Sequence, residues 1–370
     1  MLNYNRTVHC TVIMFKKILS LSKKLIAIKS VADNPAGLEQ ALQVVLAELP
    51  EFTIEKFERA GIKSALVYTT KTRPKKFRLL FNVHLDVIPA KDNQFRPKIV
   101  GDKLFGAGSM DMKANAACSI YAFKELAKTV EYPIGLQLVT DEEIGGANGT
   151  SYQVEKGVRA DFVVATEPTN FEIVHKAKGV CQIKIAAKGL TAHGAYPWRG
   201  DNAIEKMHEY VSVLKKVLIN PKKEQWLTTV NISKIETTNN AFNKIPDDCT
   251  IWLDIRYIAE DSKTILKKIK KTLPKDFALE LVNFSPDVST KKEDKNIVLL
   301  EKITKSVTGN KAILRGANGT SDLSHFAKVN SFGIEFGPVG GGIGSDEEWV
   351  SVSSLKDYFQ ILQEFIKSTK

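Results

Sequence analysis

The sequence is poor in every feature that would set it apart from ordinary globular proteins. It holds only four cysteines in 370 residues. They stand at positions 10, 118, 181 and 249 and form no paired motif. A disulfide framework is thereby excluded, and reduced, cytosolic thiols are expected. No apolar run approaches the length needed to cross a membrane. The opening "MLNYNRTVHCTVIMFKK" has only a short apolar patch and no small-residue cleavage site, which argues against a signal peptide. There is no Arg-rich block and no basic run interleaved with aromatics. The net charge of +11 therefore reads as a Lys-rich solvated surface and not as a nucleic-acid site. Internal repeats and low-complexity linkers are also missing. What is present is 43% hydrophobic and 26% charged, the composition of a soluble protein long enough for two domains, each with its own core. A cytoplasmic protein is expected. Met14 begins a better helix, "MFKKILSLSKKLIAI", so residues 1–13 read as a disordered extension or the result of a misplaced start codon.

Two textures alternate along the chain. Over 14–176, and again over 287–370, helical patterns alternate with solidly apolar runs: "RLLFNVHLDV", "IGLQLVT", "DFVVATEP" and "SFGIEFGPVG". Such runs, bounded by turn residues, predict strands buried on both faces of a largely parallel, helix-flanked sheet. Over 177–286 the pattern changes. "CQIKIAAKG" and "TIWLDIRYI" alternate apolar and polar residues, and Ile204, Met207, Val211, Leu214 and Leu218 fall at helical spacing. The order reads β-α-β-β-α-β, an antiparallel sheet with helices on one face. The fold class is α/β with an inserted α+β domain.

Polar groups gather where the apolar runs end. His84 and Asp86 are two apart and point to one face of a strand. Glu142 and Glu143 follow the second run, Glu167 the third, and Asp111 sits where the glycine-rich turn "GAGSMDMKANAA" enters a helix. Ligand sites of open α/β sheets lie beyond the carboxyl ends of the strands, so these segments converge on one crevice. Clustered carboxylates must pair, protonate or coordinate metal. No Lys or Arg lies within the strand-end motifs, and the imidazole-plus-carboxylate set suits zinc, with cobalt or manganese as alternatives. Asp86 can accept the second N–H of His84 and fix its tautomer. Of the two adjacent glutamates, one can bind metal while the other serves as general base. A single His-x-Asp or Asp-Glu-Glu is usually structural or merely solvated; several in this order point to a metal site.

"HLDVIP", "GAGSMDMKANAA", "TDEEIGG", "ATEPT", "HGAYPWRGDNAI" and "GTSD" together resemble the di-zinc deacylase and exopeptidase family. That family includes acetylornithine deacetylase, succinyl-diaminopimelate desuccinylase, aminoacylases and carboxypeptidase G. The resemblance covers nearly the whole chain from about residue 17. It implies that Asp111 bridges two metals, that His84 and Glu167 complete one site, and that Glu143 belongs to the other. It further implies that Glu142 is the general base generating a metal-bound hydroxide that attacks an amide carbonyl. The inserted domain would mediate a homodimer, with His193 stabilising the oxyanion. Arg256, in "WLDIRY", would pair the substrate carboxylate through its guanidinium, and Asn243 would line the same pocket. The substrate implied is an N-acyl amino acid or short peptide with a free carboxylate.

One position departs from the family pattern. The last ligand of the second metal should be a histidine after the "GPVGGGIGSDEEWVSV" loop begins, and that position is Gly344. Asp346, Glu347, His325 and His175 are the candidate substitutes. The departure motivates a second reading, a catalytically silent relative retained for binding or dimerisation.

Overall fold

The structure, a computed structural model, describes the backbone of residues 2–370 and the side chains of residues 13–370. The first helix runs Leu2–Ile26. The extension expected over 1–13 falls on this stretch and, apart from Ile13, lies outside the described side chains. Two compact units form: residues 1–175, 289–315 and 321–370 in the larger, and 176–288 with 316–320 in the smaller. The stretch 316–320 thus groups with the smaller unit, although the sequence pattern assigns it to the larger.

In the larger unit the apolar runs become the centre of a nine-stranded sheet. Strands Ile134–Val139, Phe77–His84, Ala160–Ala165 and Phe332–Glu335 lie side by side and parallel. All residues of Ile134–Val139 are buried, and all but one of Phe77–His84. That is why the sequence shows no alternation here: both faces are covered. The hairpin Thr53–Arg59 and Ile62–Tyr68 extends one edge antiparallel. Its two-residue turn places Ala60 and Gly61 at φ 52° and 79°, the primed turn that matches strand twist.

Helix Ala114–Leu126 is buried on almost every side. Its run of Ala, Ser and Cys lets it sit between the sheet and the helices Leu2–Ile26 and Val352–Ser368. The last of these buries Leu355, Tyr358, Phe359, Leu362, Phe365 and Ile366 along one stripe, each fully buried chain contributing about 1.5–3 kcal/mol. A separate small sheet joins Gly340–Gly341, Trp349–Ser351, Lys103–Phe105 and Lys98–Val100. It ties the glycine-rich loop after the fourth parallel strand to the segment leading into Asp111.

The smaller unit has strands Gly179–Lys188, Thr229–Glu236, Asp248–Tyr257 and Phe277–Ser285, with helices Ala203–Val217 and Ile265–Lys270. All strand pairs are antiparallel, with the first and third strands adjacent in the middle. Burial alternates strictly along Asp248–Tyr257. Cys249, Ile251, Leu253, Ile255 and Tyr257 enter the core with Met207, Tyr210 and Leu214 of the longer helix. Asn202 caps that helix by accepting from the N–H groups of Ile204 and Glu205. Among the described residues Cys118, Cys181 and Cys249 are free and buried, and no helix is long and apolar enough to cross a membrane.

Candidate metal centre

The parallel strands of the larger unit end side by side, and their next residues carry the polar groups. His84 closes Phe77–His84, Glu142 and Glu143 form a short turn after Ile134–Val139, and Glu167 follows Ala160–Ala165. Asp111 arrives from the turn Ser109–Lys113, entered through Gly108 at φ 73°.

His84 Nε2 lies 3.2 Å from Asp111 Oδ1 and 3.7 Å from Glu167 Oε2. Among the described residues, His84, Asp111 and Glu167 are the one cluster whose donor atoms lie within 4.8 Å of one another. His84 Nδ1 is 3.0 Å from the backbone carbonyl of Asp86. A carbonyl only accepts, so Nδ1 carries a proton, which leaves Nε2, facing the carboxylates, as the atom a metal would take in place of a proton. The Asp86 carboxylate, expected in this orienting role, stands behind the main-chain oxygen, with Oδ1 3.6 Å from the same nitrogen. Asp86 stands just past the strand end, and its Oδ2 accepts from the Glu143 N–H at 3.0 Å.

The electrostatics are those of an acid-rich pocket. Burial is the largest influence on His84 and would lower its pKa, but Glu167, Asp111 and Asp86 together outweigh it and raise it well above the usual value. Burial, with the nearby charge of Asp111 adding to it, pushes Glu143 up to about 7. Glu167 also rises to about 7, mainly through burial. Glu142 is raised well above the carboxylate range by burial first and by the charge of Glu167 second. Glu167 Oε1 and Asp86 Oδ1 are buried with no hydrogen-bond partner. Unpartnered acceptors in a cluster of nitrogen and oxygen donors are what a divalent cation would satisfy, so His84, Asp111 and Glu167 fit a bound metal.

Three further acids of this unit are buried and hydrogen-bonded, and the motifs do not reveal them as such. Glu348 is buried and accepts from the N–H groups of Gly108, Met110 and Asp111 at 3.0, 2.8 and 3.0 Å. The segment is too short to show a period in sequence; in the structure Glu348 and Val350 are both buried, flanking half-exposed Trp349. Asp322, from "GTSD", accepts from Thr150 and from Asn82, two residues before His84. Glu335 is buried and accepts from Ser321 at 2.7 Å.

The candidate substitutes for a missing histidine are engaged elsewhere. Asp346 pairs with Lys91, and Glu347 is exposed. His325 Nε2 lies 3.0 Å from the Gly145 carbonyl, and His175 Nδ1 lies 2.8 Å from that of Thr290.

In the smaller unit His193 is exposed, its Nδ1 accepting from the Ala195 N–H at 3.1 Å. Asn243 is its neighbour: their loops are joined by a His193–Lys244 bridge and the Gly194 N–H to Asn243 carbonyl bond. Arg256 lies near the far end of Asp248–Tyr257, roughly 26 Å along the strand at ~3.3 Å per residue from Asp248, where those loops attach. Arg256 therefore lies toward the opposite end of that strand from the loops that carry Asn243. Arg256 is held by Asp254 at 3.0 Å and lines a groove of about 640 Å³ with Lys178, Lys222, Lys223 and Asn318.

Comparison with known proteins agrees with this architecture. Residues 80–368 match the model of peptidase family M20/M25/M40, and the chain belongs to that family. It is a metal-dependent hydrolase of amide bonds. A succinyl-diaminopimelate desuccinylase from Pelagibacter ubique is 27% identical over 381 residues, covering 95% of this chain and 98% of that protein. Among solved structures, aminopeptidase PepT from Bacillus cereus superposes with a TM-score of 0.77 at 18% identity, covering 95% and 98% of the two chains. The Bacillus subtilis YXEP protein, described as a dinuclear metal-binding peptidase, superposes at 0.69 with 13% identity, covering 96% and 99%.

Proposed function

We propose that the protein is a zinc-dependent deacylase or exopeptidase that cleaves the amide of an N-acyl amino acid or short peptide bearing a free carboxylate. The observation that carries this reading is the cluster of His84, Asp111 and Glu167, with Glu142 on the turn that follows the neighbouring strand. A zinc ion held there would lower the pKa of water and polarise an amide carbonyl. Glu142 takes the proton of the attacking water and delivers it to the leaving nitrogen, so amide and water become carboxylate and amine. The Asp86 carbonyl keeps His84 in the tautomer that offers Nε2. Arg256 and its lysine-lined groove suit a substrate carboxylate. His193 is proposed to stabilise the oxyanion, with Asn243 at its side, and a homodimer formed through the smaller unit is part of this reading. Exposed Trp198 and Phe242 on the His193 and Asn243 loops favour such a contact. The proposed place of action is the cytoplasm. The kinship with a desuccinylase and the likeness to peptidases support the shared chemistry, an amide next to a carboxylate, more than either single substrate.

A silent relative is the second reading, favoured only by Gly344. Retention of His84, Asp111, Glu142, Glu143 and Glu167 weighs against it. The deciding experiment measures bound metal and turnover of acetylated and succinylated amino acids and of dipeptides, with zinc or cobalt supplied. Turnover of at least one class is expected. Silence across the panel with metal bound would reject the enzyme reading.

A further inference from the structure

A two-metal centre needs a second position at Asp111 and Glu143, and the chain's own donors do not complete it. Two carboxylates leave a four-coordinate zinc two ligands short. The nearby donors do not complete it: Glu348 accepts from three backbone N–H groups, Asp346 pairs with Lys91, His325 lies 3.0 Å from the Gly145 carbonyl, and Glu347 is exposed and does not line the cavity. Among the described residues no further cluster of three donors forms.

What stands at this position is space. Asp111, Glu143 and Gly344 line one cavity of about 370 Å³, walled by Val87, Ile88, Ala107 and Ile343. A water needs only ~10–15 Å³. A Cβ built on Gly344 would meet nothing nearer than Ile88 Cδ1 at 3.4 Å, so the room begins at the backbone. The cavity sets these apolar walls against the acids Asp111 and Glu143, and its remaining polar rim carries Lys91 paired with Asp346. That chemistry suits a flat, neutral heteroaromatic ring whose nitrogen faces the acids and whose carbons face the walls.

We propose that this chain holds one divalent cation tightly, between His84, Asp111 and Glu167, and that the neighbouring position at Asp111 and Glu143 closes only when a heteroaromatic nitrogen donor of imidazole type enters the cavity beside Gly344. The inference rests on the metallohydrolase reading above and specifies its metal stoichiometry. The donor forms no covalent bond to the chain; it supplies one lone pair.

The test is a Co²⁺ titration of the metal-free, full-length protein, followed by visible absorption and chelator competition, with and without imidazole. One tight equivalent is expected for the unmodified chain. The second should bind at least about 100-fold more weakly, since losing an outer partner alone costs 10–100-fold. Imidazole should tighten that second equivalent at least about 10-fold. Its competition for free cobalt acts in the opposite direction, so tightening cannot arise from it. Gly344→His should bind two equivalents tightly and lose the imidazole effect. Gly344 has φ 72°, which strains a side chain; should that variant fail to fold, the imidazole effect on the unmodified chain decides alone. Two tight equivalents without imidazole, or a second affinity that imidazole leaves unchanged, would overturn the proposal while sparing the hydrolase reading. Absence of any tight equivalent would overturn both.

Discussion

Glu142 and Glu143 are adjacent, yet their surroundings divide their tasks. The Glu143 main chain is fastened to Asp86 and its carboxylate lines the cavity beside Asp111. Burial, and after it the charge of Glu167, helps Glu142 hold its proton. Replacing Glu142 by Gln keeps size and removes the base. We expect kcat to fall about 10²–10⁴-fold with metal content unchanged, checked by steady-state kinetics beside metal analysis. Retention of full activity would remove Glu142 from the chemistry. Asp86→Ala frees the Glu143 N–H and should weaken metal binding by about 10–100-fold, read by chelator competition. At this scale the motifs were legible where side chains act directly: His84, Asp111 and Glu167 meet. The residues acting through others were not. Glu348 sits in "SDEEWV" among acids of the same kind, and only its burial, just before the strand Trp349–Ser351, separates it from exposed Glu347.

At the scale of elements, the glycine-rich turn 106–113 has no regular hydrogen-bond ladder of its own at Asp111, and the strand Trp349–Ser351 holds it in shape by way of Glu348. Glu348→Ala would leave three N–H donors without that acceptor. The expected loss is on the order of 3 kcal/mol, measured by urea unfolding of the metal-free protein, while Glu348→Gln should recover part of it. An unchanged midpoint for Glu348→Ala would show that the turn is held by other means. Helix Ala203–Val217 offers a simpler case: Asn202→Ala removes its cap and should cost about 1 kcal/mol by the same assay. The six elements of the smaller unit were readable because strand and helix periods differ and each has one polar face. The short strands Gly340–Gly341 and Trp349–Ser351 were not, since two or three residues carry no period.

At the scale of the whole molecule, the acids make stability depend on pH and metal together. Without metal, Glu143 and Glu167 are pushed up to about 7, and Asp141 and Asp322 to about 6, by burial first in each case. A carboxyl with a raised folded-state pKa binds its proton more tightly when folded. Its contribution is full below its unfolded value, near ~4, and is lost as pH rises through about 6–7. His325 works the other way: burial pushes it down to about 4, so its contribution is lost as pH falls below ~6.5. Four acids outweigh one imidazole across the upper part of this range. The chelator-treated protein should therefore melt at a higher temperature at pH 5.5 than at pH 8. Added zinc should raise the melting temperature more at pH 8, where its ligands are deprotonated. A metal-free melting temperature that climbs from pH 5.5 to 8 would contradict this assignment.

The sequence by itself determined what neighbours along the chain can specify: apolar runs buried on two faces, alternating strands covered on one, and acids placed where those runs stop. Period and spacing are local properties, so they survive without coordinates. Tertiary structure decided which atoms meet. It set the Asp86 carbonyl at 3.0 Å and the Asp86 carboxylate at 3.6 Å from His84 Nδ1, put Arg256 and the Asn243 loop toward opposite ends of one strand, and bound Glu348 to the Asp111 turn. Each of those outcomes depends on segments far apart in sequence being brought within a few ångströms, and hydrogen bonds and metal ligation act only over that range.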